Sequence, residues 1–70
     1  MPLTLAPEER PLRVIKILAE EKTKKHLESL GITINSTLTI LSRSGGNIIL
    51  VVKEGRLALD SNLAMKILVA

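Results

Sequence analysis

The side chains that could do chemistry are few. His26 is the single imidazole and there is no cysteine, so disulfides and thiolate chemistry are out of reach. Serine, threonine and carboxylates are present. Nothing in the spacing brings Asp60 or Glu54 beside His26, as a Ser-His-acid arrangement would require. An enzyme is not expected. A metal held within one chain needs several His, Cys or carboxylate ligands. His26 and Glu28 offer one imidazole and one carboxylate, placed two apart, and a helix does not turn such positions to one face. His26 is therefore read as a solvated helix residue, with a weak claim as a metal ligand bridging two copies. The stretch Ser44-Gly45-Gly46-Asn47 suggests a phosphate loop. It lacks the lysine and following hydroxyl of a Walker loop, and it leads into a strand pattern rather than a helix. The expectation there is a flexible hairpin loop, and no cofactor is expected anywhere.

The formal net charge is +3, which raises nucleic acid or an anionic membrane face as partners. The densest basic cluster is Lys22-Thr23-Lys24-Lys25, and Glu20, Glu21 and Glu28 lie close enough to offset it. The chain has no Phe, Tyr or Trp, so a single-strand binder would have no rings on which to stack bases. Nucleic acid is not expected as the partner. The N-terminus has no basic stretch before an apolar run, and the longest apolar run, Ile48 to Val52, is too short to span a bilayer. A cytoplasmic protein without membrane insertion fits these features and the missing cysteines.

The elements that position these residues belong to one domain, residues 1–70. Five short extended segments are expected: Leu12 to Ala19, Thr37 to Ser42, Asn47 to Lys53, Arg56 to Leu59 and Lys66 to Val69. Glu20 to Leu30 reads as a helix, with Thr23 as a cap, Leu27 and Leu30 on one face, and Gly31 as the stop. Residues 42–47 read as a loop, and Glu54-Gly55 as a tight hairpin turn. Asp60 or Ser61 can cap one helical turn that runs to Met65 and redirects the chain into its last strand. The pattern is mainly β: a small five-stranded SH3-like barrel with one helix between strands 1 and 2 and a short helical turn before the last strand.

Period-two alternation phases each strand from its charged residue. Lys16 faces water, which places Ile15 and Ile17 inside and Val14 and Leu18 outside. Lys53 outside places Ile48, Leu50 and Val52 inside. Arg56 and Asp60 outside make Leu57 and Leu59 core, and Lys66 outside makes Ile67 and Val69 core. Leu38 and Ile40 form the inner set of the second strand. The outer phase then carries many aliphatic residues: Val14, Leu18, Leu41, Ile49, Val51 and Leu68. Such a surface marks an interface, unless the helix, Leu3, Leu5 and Leu63 cover it.

The order and spacing of several stretches resemble the ferrous iron transport protein A (FeoA) family, which has an SH3-like barrel fold. Leu5-Ala6-Pro7-Glu8-Glu9 is similar to the family's leading turn, and Arg13 to Ile17 to its first strand. Leu27-Glu28-Ser29-Leu30-Gly31-Ile32 is similar to its helix end, and Gly46 to Val52 to its central strand. Gly55 to Leu59 with Leu63 to Val69 resembles the strongest family stretch. The family often carries Pro-Gly after the helix; Asn35-Ser36 stands there in this chain, and both residues make turns. The resemblance implies a cytoplasmic accessory of ferrous iron uptake that acts by contact with a FeoB-type membrane transporter bearing a GTPase domain. The expected contact residues are Leu41, Ile49 and Val51, with Arg43 and Asn47 in the 43–47 loop as a second contact. Weak self-association is also expected, from free strand edges and aliphatic surface. Two alternative readings remain open: a small basic nucleic-acid-binding SH3-like module, and a metal-responsive sensing domain like the C-terminal domain of metal-dependent repressors.

Overall fold

In this computed structural model, which describes residues 1–53 and 55–70, the aliphatic segments pair into one antiparallel sheet. The strands are β1 (Pro11–Ile17), β2 (Thr37–Ser44), β3 (Asn47–Val52), β4 (Gly55–Asp60) and β5 (Ile67–Val69). Their order across the sheet is β4-β3-β2-β1-β5, so the last strand returns to lie beside the first. Helix α1 (Glu21–Ser29) links β1 to β2, and the one-turn helix α2 (Ser61–Ala64) precedes β5. The expected order of elements, an SH3-like barrel, is what the chain forms. The tight turn expected at Glu54-Gly55 lies partly outside the described residues, since Glu54 is not among them, while Gly55 has a φ of 133°, a backbone region suited to glycine.

Two β-bulges decide which side chains enter the core. On β1, Val14 pairs with Val69, and Lys16 pairs with the adjacent Leu68, leaving Ile15 as the extra residue. The extra residue switches the alternation. Leu12 and Val14 point inward before it and Ile17 after it, so Val14 is fully buried and Ile15 is 39% exposed. The expectation for these two was reversed, because counting back from Lys16 by twos runs straight through the bulge. On β2, Ile40 pairs with Leu50 and Ser42 with the adjacent Ile49, so Leu41 is the extra residue. Ser42 then shares Ile49's outer face, and Arg43, opposite buried Ile48, comes round to the inner side.

The other inner sets stand as the alternation predicts. Leu38, Ile40, Ile48, Leu50, Val52, Leu59, Ile67 and Val69 are all buried, and half-buried Leu57 packs against them. Burying one such aliphatic side chain stabilises by roughly 1.5–3 kcal/mol. Leu3 and Leu27 close the core from the N-terminal turn and from α1. Helix α1 ends as its sequence dictates. Gly31, at φ 93°, follows the last turn; its N–H donates to Glu28 O, and the Ile32 N–H donates to Leu27 O. This is a Schellman ending, with buried Leu27 and Ile32 as its apolar pair. Thr23 is not the cap. Glu20 occupies that position without a side-chain bond, and Thr23 lies within the first turn. Helix α2 does have its cap: the Asp60 carboxylate accepts from Asn62 N–H at 2.7 Å.

Asn35-Ser36 also makes its turn. Asn35 takes a φ of 74°, which asparagine tolerates better than most residues. Ser36 Oγ donates to Thr33 O at 2.6 Å and accepts from Thr33 N–H at 3.1 Å. The expected loop over 42–47 is much shorter than predicted. β2 runs on to Ser44, and only Gly45 and Gly46 turn, with φ values of 54° and 80°. Two positive φ values in a row define the primed hairpin turn whose twist matches its strands.

Candidate functional site

The five residues expected to bind a partner separate into two groups. Ile49 and Val51 stand on the outer face of β3. Ile49 lies across from Ser42 on β2 and Ala58 on β4; Val51 lies across from Thr39 and Arg56. Val51 is 37% exposed and Ile49 half-buried. Leu41, in the bulge, joins Ser42 in opposing Ile49, and it too is half-buried. The result is an apolar strip over β2, β3 and β4, bordered by Thr39 and Arg56. Ala58 belongs to this strip. The phase set by Arg56 and Asp60 already turns Ala58 outward, but its single methyl was not counted among the outer aliphatic residues.

The remaining outer residues do not join the strip. Val14 is core, Leu68 is half-buried and bridged by Pro2, and exposed Leu18 lies past the end of β1. The expected covering is partial: Leu3 enters the core and Leu63 packs against it, while Leu5 stands 75% exposed.

Arg43 and Asn47 have a different setting. The inward turn of Arg43 carries its guanidinium to the N-terminal 3-10 turn, Leu3–Leu5. Nη2 donates to Ala6 O at 2.7 Å, to Thr4 O at 3.2 Å and to Leu3 O at 3.4 Å; Nη1 donates to Glu8 Oε2 at 3.0 Å. Neighbouring Gly46 O accepts from both Ser61 Oγ at 2.6 Å and Ser61 N–H at 2.9 Å. The segment expected to be a flexible loop is therefore tied to the N-terminal segment on one side and to α2 on the other. Asn47 is exposed, and with Thr4, Arg43, Ser44, Ile48 and Ser61 it lines a shallow groove of about 250 Å³. No sequence signal pointed to the Arg43 carbonyl contacts, because their partners are backbone atoms 37 to 40 residues away.

His26 is exposed on α1, as is Glu28. Among the described residues, no three His, Asp or Glu side chains gather as a metal would need. No described helix is long and apolar enough to cross a membrane.

A five-stranded SH3-like barrel with an apolar outer strip is the class of protein that this geometry defines. The FeoA domain family matches residues 1–70, and the chain belongs to that family. Among solved structures, it is similar to an iron uptake regulatory protein (FeoA), with 30% identity and a TM-score of 0.87, covering 99% of this chain and 92% of that one. A FeoA-like protein from Clostridium acetobutylicum has 25% identity and a TM-score of 0.86, covering 100% and 84%. A manganese-dependent transcriptional repressor in complex with manganese has 26% identity and a TM-score of 0.88; the match covers all of this chain and 35% of the repressor. No curated protein matches the chain.

Proposed function

We propose that this protein is a cytoplasmic accessory of ferrous iron uptake that binds the cytoplasmic part of a FeoB-type GTPase transporter through its outer apolar strip. Membership of the FeoA family and likeness to an iron uptake regulatory protein support the process. The observation that supports the mode of action is the strip itself: Leu41, Ile49, Val51 and Ala58 lie together on strands whose other faces build the core. A surface of this kind gives a partner rigid, preformed apolar contact and no reactive group. Basic residues on α1 would speed approach to an acidic partner without fixing the bound pose. On this reading iron is the transporter's cargo, and the protein acts by contact without chemistry of its own.

The test is calorimetric titration of the purified chain into the GTPase domain of the transporter from the same cell, without nucleotide, with GDP and with a GTP analogue. Saturable binding in at least one state is expected. A second reading, a metal-sensing domain, is favoured by the likeness to the manganese-dependent repressor. Dimerisation that depends on a divalent metal would support it instead.

A further inference from the structure

The two edges of the sheet are treated differently. The β5 edge is covered by the start of the chain: Val69 N–H donates to Met1 O at 2.7 Å, the Met1 amino group donates to Val69 O at 2.8 Å, and Pro2 bridges Leu68. β4, the other edge, has β3 on one side and, among the described residues, no strand on the other. Exposed edges are usually blunted by lysine, proline or a bulge. β4 carries no lysine, proline or bulge, and its register with β3 is unbroken from Gly55 to Asp60. Its two charges, Arg56 and Asp60, are of opposite sign, so they do not repel a second copy set antiparallel beside it.

The alternation of the ladder tells which backbone groups face outward. The Gly45-Gly46 turn closes on Ser44 and Asn47, so that pair exchanges hydrogen bonds. The N–H and C=O of Ile48, Leu50 and Val52 must then point toward β4, where they meet Leu59, Leu57 and Gly55. Those of Arg56, Ala58 and Asp60 point away from the sheet. No loop takes up the backbone groups of Arg56 or Ala58 among the described residues.

We propose that β4 pairs with β4 of a second copy of this chain, antiparallel about a two-fold axis at Ala58. The axis sets Ala58 against its own copy, and the two exchange backbone bonds. It also sets Arg56 against Asp60 of the partner subunit. These two residues flank Ala58 at equal spacing and share its exposed face, so the symmetry that joins the backbones pairs opposite charges on both sides. Centring the axis on Arg56 or on Asp60 would instead oppose like charges. One oxygen of Asp60 caps α2 and the other is free for the guanidinium. On the inner face, half-buried Leu57 gains a neighbour across the new seam. The pairing uses the edge of β4 and leaves the outer faces of Ile49 and Val51 open, so it does not depend on the transporter reading.

Sedimentation equilibrium over increasing concentration, with folding checked by amide NMR spectra, tests this. Ala58→Pro removes the N–H at the axis and spares the β3 ladder, because that N–H faces away from β3. Arg56→Asp turns both charge pairs repulsive. The expected result is a dimer that Ala58→Pro abolishes and Arg56→Asp weakens by about tenfold or more. Mixing the Arg56→Asp and Asp60→Lys chains should yield a heterodimer tighter than either variant alone. A chain that stays monomeric up to about 1 mM overturns the proposal. So does a dimer that folded Arg56→Asp leaves unchanged.

Discussion

The Arg43 guanidinium sits 2.7 Å from the carbonyl oxygen of Ala6, 37 residues earlier in the chain. The β2 bulge at Leu41 makes this contact possible, because it turns Arg43 from the outer phase to the inner one. The planar fork then holds the N-terminal turn, and that segment in turn covers the edge of β5. One arginine thus links β2 to the closure of the far side of the sheet.

Arg43→Ala should therefore destabilise the domain by about 1.5–3 kcal/mol, the range for hydrogen bonds to a charged group. In a domain of this size, each 1 kcal/mol lowers the melting temperature by roughly 4–8 °C. Hydrogen exchange at the Val69 amide, which donates to Met1 O, should quicken. Arg43→Lys should rescue only in part, since one ammonium nitrogen cannot meet both the carbonyls that Nη2 reaches and the Glu8 carboxylate that Nη1 reaches. Glu8→Gln should cost no more than about 1 kcal/mol, because that ion pair is partly solvated on both sides.

The β1 bulge makes a prediction that plain alternation reverses. Ile17→Ala should cost about 2–5 kcal/mol as a core truncation. Ile15→Ala, two residues away and exposed, should cost less than about 1 kcal/mol. Paired urea melts of the two variants read the difference directly.

Gly31→Ala places a side chain at φ 93° in the Schellman ending of α1. A loss of about 1 kcal/mol or more is expected in thermal unfolding, with little change in spectra away from residues 27–33.

The apolar strip separates binding from stability. Val51→Lys adds a charge on the outer face, and the unfolding midpoint should stay close to that of the parent chain. Leu50→Ala, one residue earlier and fully buried, should cost about 2–5 kcal/mol.

Element order was legible because Gly31, Gly45-Gly46 and Asp60 punctuate the chain by backbone and capping physics that is local. The inner residues of β3, β4 and β5 were legible for the same reason: alternation there runs without interruption. Val14 and Ile15 were misplaced because a bulge is set by the partner strand's register, and no residue in β1 announces it. Ile49 and Val51 could be placed on an outer face from sequence. The Arg43 fork could not, since it depends on a second bulge and on main-chain oxygens that every sequence carries.

The most direct measurement is the titration of the GTPase domain repeated side by side with the parent chain and with Val51→Lys. The account predicts saturable binding by the parent and at least a tenfold loss for a variant that remains folded, as expected when a charge enters an apolar contact. Equal affinity for the two chains would contradict it, placing the contact on a different surface.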